Sequence, residues 1–132
     1  MVDVETAAPG AARTLAERPW QLLVGLGIWS LWFLAVYVGV SVACAIGPPP
    51  GAHSAFNAVN AGLLLLTAAT AAGLGWAALA CARSMRRLPP GSASPAASRR
   101  RFVAGAAAAL HGVAAVATVF VGLPLLALPP CV

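Results

Sequence analysis

Residues 19–82 read PWQLLVGLGIWSLWFLAVYVGVSVACAIGPPPGAHSAFNAVNAGLLLLTAATAAGLGWAALACA, with no charged side chain anywhere among them. A run of that kind belongs in lipid, where one helical span needs about 20 apolar residues. Gly47-Pro48-Pro49-Pro50-Gly51 divides it in two, because no helix continues through consecutive prolines. The first span is read as 19–46, opening on Pro19, which suits a first helical turn, and on Trp20, an interfacial aromatic. The second is read as 55–82, after Ser54 as the N-cap. A third apolar stretch, 102–123, starts at Phe102 and runs up to Pro124, with Pro129-Pro130 closing the chain beyond it. The expected fold class is an all-α membrane protein with three transmembrane helices.

The rest of the chain agrees with that reading. Of 132 residues, 61% are hydrophobic and 8% charged, against about one quarter charged in soluble domains. The spans leave no room for a soluble catalytic domain. Residues 1–18 read as a flexible tail with mixed charge, 47–54 as a short outer loop, and 124–132 as a Pro-rich outer tail. The net charge of +5 invites a nucleic-acid reading, but the distribution speaks against it. Arg83, Arg86, Arg87, Arg99, Arg100 and Arg101 all fall in 83–101, read as a loop, without an acid or an interleaved aromatic on which bases would stack. Such a cluster is an orientation signal, placing 83–101 in the cytoplasm, the N-terminus inside and the C-terminus outside. The first apolar core is too long for a cleaved signal peptide, whose h-region spans about 7–15 residues, so it reads as a retained helix.

Few residues carry candidate chemistry. Trp29, Phe33 and Tyr37 recur at i, i+4 and i+8, with Trp32 alongside, on a face that Ser41 and Cys44 extend. The functional reading is a helix docking face, or a surface for haem or quinone; the plainer one is aromatic packing in the bundle or against lipid. His111 lies about 13 Å along the third span, near mid-membrane, where an ionisable group suggests a haem ligand or a proton-handling site. The favoured reading is a neutral imidazole bonded to Ser30, Thr67 or Thr70. Asn57 and Asn60, one turn apart, read as structural hydrogen-bonding groups. Small residues at every fourth position, Ala69, Gly73, Ala77 and Cys81 on the second helix and Ala104, Ala108 and Gly112 on the third, read as packing faces. Cys44 and Cys131 fall at the same outer end. A disulfide between them is the first expectation, two unpaired thiols the second, and a copper site with His53 the third. Cys81 lies at the opposite end, by the arginines. No catalytic residue, resident metal or cofactor is expected.

The first-helix pattern Trp29, Trp32, Phe33, Tyr37, Ser41, Cys44, the arginine segment and the ending Gly122-Leu123-Pro124-Leu125-Leu126 with Pro129-Pro130-Cys131 together resemble a known group. These are small bacterial three-helix membrane proteins encoded beside haem–copper cytochrome oxidase subunits. The resemblance covers most of the chain and carries over no catalytic residues. It implies a multi-pass protein of the bacterial inner membrane that serves a respiratory terminal oxidase as accessory subunit or assembly factor. The alternatives are a periplasm-facing thiol redox or copper-handling protein, and one subunit of a small-molecule permease.

Overall fold

The computed structural model describes residues 18–47, 57–88, 90–91, 94–129 and 131. Their elements are α1 (Gln21–Ile46), α2 (Ala58–Arg87), α3 (Pro95–Gly122) and the short α4 (Pro124–Ala127), with no strand among the described residues. Three helices are long and apolar enough to cross a membrane, the third running through α3 and α4 as Pro95–Ala127. The chain is an all-α, multi-pass membrane protein.

Each helix end has a local cause. Arg18, Pro19 and Trp20 stand just ahead of α1 and accept its first backbone bonds, from the N–H groups of Gln21, Leu22 and Leu23. α1 stops at Gly47, whose φ of 150° favours a residue without Cβ. α2 starts at Ala58 because the Asn57 side chain accepts from the Asn60 N–H at 2.9 Å. That replaces Ser54 as the cap; Ser54 itself lies outside the described residues. Gly91, at φ 72°, lies in the turn between α2 and α3, and Pro95 occupies the first helical position of α3. Pro124 has no N–H to continue the ladder, so α3 ends at Gly122 and α4 begins anew.

The arginine segment departs from expectation. The sequence reads as a loop over 83–101, yet α2 continues to Arg87 and α3 already begins at Pro95, so all six arginines are helical. A hydropathy boundary is not a helix boundary, since arginine is a good helix former and its charge can project into water beyond the lipid. The second and third helices are correspondingly longer than the spans 55–82 and 102–123.

The core is a seam with a seven-residue repeat. α2 buries Asn60, Thr67, Leu74 and Cys81, each seven residues after the last. α3 buries Ala104, Ala107, His111, Ala114, Thr118 and Gly122, at alternating and then repeated short steps. α1 buries Gly25, Trp32 and Val36. A heptad repeat of buried positions is the pattern of helices that cross at a small left-handed angle. The four-residue faces fit this only in part. Ala104 and Cys81 are buried, whereas Ala69 and Gly73 are exposed, and a Cβ placed on Gly73 or Gly112 would meet nothing within 4 Å. The glycines at close approaches are others. A Cβ on Gly25 would come within 3.1 Å of the His111 ring, and one on Gly122 within 2.5 Å of Thr67 Cγ2.

Candidate functional site

The polar side chains form layers along the seam, each tied to a neighbouring backbone or side chain. At the end where α1 stops and α2 starts, Asn60 is 1% exposed. Its Nδ2 donates to the carbonyls of Leu125 at 3.0 Å and Leu128 at 3.1 Å. One buried amide therefore holds α4 and the residue after it against α2, satisfying carbonyls that the end of α4 at Ala127 leaves open. At the same end Cys44, near the close of α1, and Cys131, in the tail, stand at disulfide distance, with Cα atoms 5.7 Å apart. The tail is thus placed against α2 through Asn60 and against α1 through Cys131. His53, the third group of the copper reading, lies outside the described residues. Among the described residues no cluster of three His, Cys, Asp or Glu side chains could hold a metal.

The middle layer joins all three helices. Trp32 Nε1 donates to Thr67 Oγ1 at 3.2 Å, and the Thr67 hydroxyl donates to the Leu63 carbonyl at 2.7 Å. The Thr67 methyl faces Gly122 of α3. Thr118, fully buried, donates back to the Ala114 carbonyl at 2.8 Å within its own helix. Trp32 therefore belongs to the core, apart from the rest of the aromatic stripe. The stripe itself is real as a stack: Trp29 and Phe33 ring centroids are 5.4 Å apart, and Phe33 and Tyr37 4.5 Å. Trp29 and Phe33 are half-buried, while Tyr37 is 57% exposed. Trp29 Nε1 is enclosed, with no acceptor among the described residues.

His111 is 1% exposed, and its partner is not one of the hydroxyls expected. Thr67 is committed to Trp32 and Leu63, and Ser30 is exposed. The imidazole instead turns back along its own helix, Nδ1 lying 2.8 Å from the Ala107 carbonyl. A carbonyl only accepts, so Nδ1 carries the hydrogen, and in the neutral ring Nε2 keeps its lone pair. The ring lies against the backbone of α1 at Gly25, the one residue type there that leaves room for it.

At the arginine end, Arg101 Nη1 donates to the Leu88 carbonyl at 2.6 Å, closing the last turn of α2 from α3. The Arg83 guanidinium lies 5.8 Å from the centre of the exposed Trp76 ring. The structure thus brings Cys44 to Cys131, keeps Asn57 with Asn60, sets Trp32 in the core and lays His111 against Gly25 of α1. Sequence reading missed the Trp32–Thr67 bond and the Arg101 cap. Comparison with family models, with curated proteins and with solved structures finds no match to this chain.

Proposed function

We propose that this chain is a non-enzymatic accessory subunit or assembly factor of a respiratory terminal oxidase in the bacterial inner membrane. The observation that carries the reading is the Trp29–Phe33–Tyr37 stack, which leads along α1 from the half-buried edge of the bundle to an outward-facing phenol. Stacked aromatics have few rotamers to lose on docking and large area to bury, which suits recognition of another membrane helix. The buried polar groups support the same reading, because Asn60, Thr67, Thr118 and His111 are spent on helix–helix and helix–backbone bonds. The oxidase as partner rests on the resemblance of the first-helix, arginine and C-terminal patterns. The arginine end faces the cytoplasm in this reading, by the positive-inside rule, and the cysteine pair faces the oxidising periplasm.

Purification of the oxidase in mild detergent, followed by mass spectrometry, tests the reading. The chain should accompany the enzyme or an assembly intermediate, and Phe33→Ala with Tyr37→Ala should release it. Absence from every oxidase species sinks it. A second reading, thiol–disulfide exchange at the periplasmic face, is favoured by the placement of Cys44 and Cys131 at disulfide distance. Cycling of that pair with a periplasmic dithiol, and no association with an oxidase, would select it.

A further inference from the structure

Trp76, Arg83 and Arg87 follow one another at i, i+7 and i+11 on α2, so they share one face of the helix. That face points away from the seam, since Leu74 and Cys81 mark the buried side two residues before Trp76 and Arg83 respectively. Trp76 is 67% exposed, and both arginines are exposed. α2 has 30 residues, about 45 Å of helix against about 30 Å of hydrocarbon, so roughly its last ten residues project beyond the acyl layer when its first turn lies at the other boundary. Trp76 then sits just inside the boundary, where an indole is favoured, with Arg83 about 10 Å and Arg87 about 16 Å further out, in the headgroup layer.

Charge bookkeeping makes this face unusual. The three side-chain carboxylates of the sequence, Asp3, Glu5 and Glu17, all precede the described residues, so no arginine of this end has a carboxylate partner among those described. Arg101 is committed to the Leu88 carbonyl, while Arg83 is held over the Trp76 ring. A guanidinium steadied by an aromatic face keeps its planar fork of donors free for an oxyanion. We infer that Trp76, Arg83 and Arg87 form a binding site for one anionic phospholipid, the phosphate lying between the two guanidinium groups and the upper acyl chain against the indole. Ala80, between Trp76 and Arg83 on the same face, leaves space for the glycerol region. The site depends on α2 crossing the membrane and not on the oxidase reading.

Native mass spectrometry of the full chain, titrated in detergent with phosphatidylglycerol or phosphatidylcholine, reads the site directly. One phosphatidylglycerol should saturate at concentrations where phosphatidylcholine does not bind. Arg83→Gln with Arg87→Gln should weaken it about thirtyfold, the effect of two guanidinium contacts. Arg99→Gln with Arg100→Gln removes the same charge from α3 and should leave it bound. Trp76→Leu, on the exposed face where folding is not at stake, should weaken it several-fold. Equal loss in both arginine pairs, or no loss in the Trp76 variant, overturns the site in favour of diffuse attraction. Displacement by millimolar inorganic phosphate overturns the lipid as occupant, as does preferential binding of a soluble acidic peptide.

Discussion

The α2–α3 hairpin and α1 are similarly apolar, yet they join the bundle in different ways. Between α2 and α3 the seam is continuous, with Asn60, Thr67, Leu74 and Cys81 on one side and a row from Ala104 to Gly122 on the other. α1 buries Gly25, Trp32 and Val36 and is pinned at separate points: the His111 ring on Gly25, the Trp32–Thr67 bond, and Cys44 beside Cys131. In lipid the tails solvate an apolar surface as well as another helix does, so association comes from close backbone approach and interhelical hydrogen bonds. Small and polar residues at heptad spacing provide this for the hairpin along its whole length. The larger side chains of α1 provide it at a few places, and Tyr37, at the end of its aromatic stack, stays exposed.

The contrast breaks most visibly at Gly122. Thr67 cannot turn aside for an added Cβ there, because its hydroxyl is fixed between the Leu63 carbonyl and Trp32 Nε1. Gly122→Ala should therefore cost about 2–3 kcal/mol by overpacking, read by denaturation in mixed micelles. It should also loosen α1, since the same threonine holds Trp32. Thr67→Ser removes the offending methyl, keeps the hydroxyl, and should restore most of the loss in the double variant. A Gly122→Ala protein as stable as the parent would mean the hairpin seam is not closed at this layer.

The next largest effect belongs to the cysteine pair. Replacing Cys44 and Cys131 by Ser frees a loop whose ends are separated by 87 residues. Soluble chains lose about 2–4 kcal/mol in such a case. A value near the low end, about 2 kcal/mol, is expected here, because helices retained in lipid already restrict the unfolded chain. Thiol counting gives the complementary check. Denatured, unreduced protein from oxidising cells should show one reactive thiol, Cys81, and three after reduction. Three from the outset would leave α1 without its outermost anchor.

The helices were legible in the sequence because lipid imposes one requirement, a long apolar run, and that requirement is local. The cysteine juxtaposition was legible too, since topology brings two breaks, after Cys44 and before Cys131, to the same end. What stayed hidden depended on pairwise geometry. Abundant alanine and glycine on α2 and α3 offer many small-residue rows, and periodicity alone gives no reason to choose the heptad Asn60-Thr67-Leu74-Cys81 over the tetrad through Ala69 and Gly73. His111 illustrates the same limit. Depth matched it to three hydroxyls, but one of them was engaged by Trp32, and the ring found a carbonyl on its own helix. The arginines look like a loop in sequence because charge marks where the lipid ends, and the helices continue past that boundary.

Asn60 sharpens the comparison at the tail. Its Nδ2 serves two carbonyls, those of Leu125 and Leu128, on the far side of the break at Pro124. Asn60→Leu keeps the branched shape and removes both bonds, at a cost of about 1–2 kcal/mol for the pair. The effect should be local, with faster amide exchange at Leu126 and Leu128, whose N–H groups bond to Leu123 and Pro124 carbonyls, and little change in the middle of α3. Combined with Cys131→Ser it should release the tail altogether, because the two holds act on neighbouring residues. Uniform loosening of the whole hairpin would instead mean that the amide stabilises the seam as a unit.

The smallest effect tests the outward face of α2. Gly73 is exposed, and nothing stands within 4 Å of a Cβ built on it. Gly73→Ala removes a flexible residue from a helix interior and should be neutral or stabilising by up to about 1 kcal/mol. Gly73→Leu should be tolerated as well, since the longer side chain would enter lipid. The corresponding change at Gly122 is destabilising, so the two glycines separate a residue retained for close approach from one that merely lies on the helix. If Gly73→Leu were destabilising in membranes but not in detergent at high dilution, the outward face of α2 would be in contact with another helix, and the seam would continue into a partner. Measuring both variants at several protein-to-lipid ratios tells these cases apart, because a contact between chains weakens as the protein is diluted in the bilayer and a contact within one chain does not.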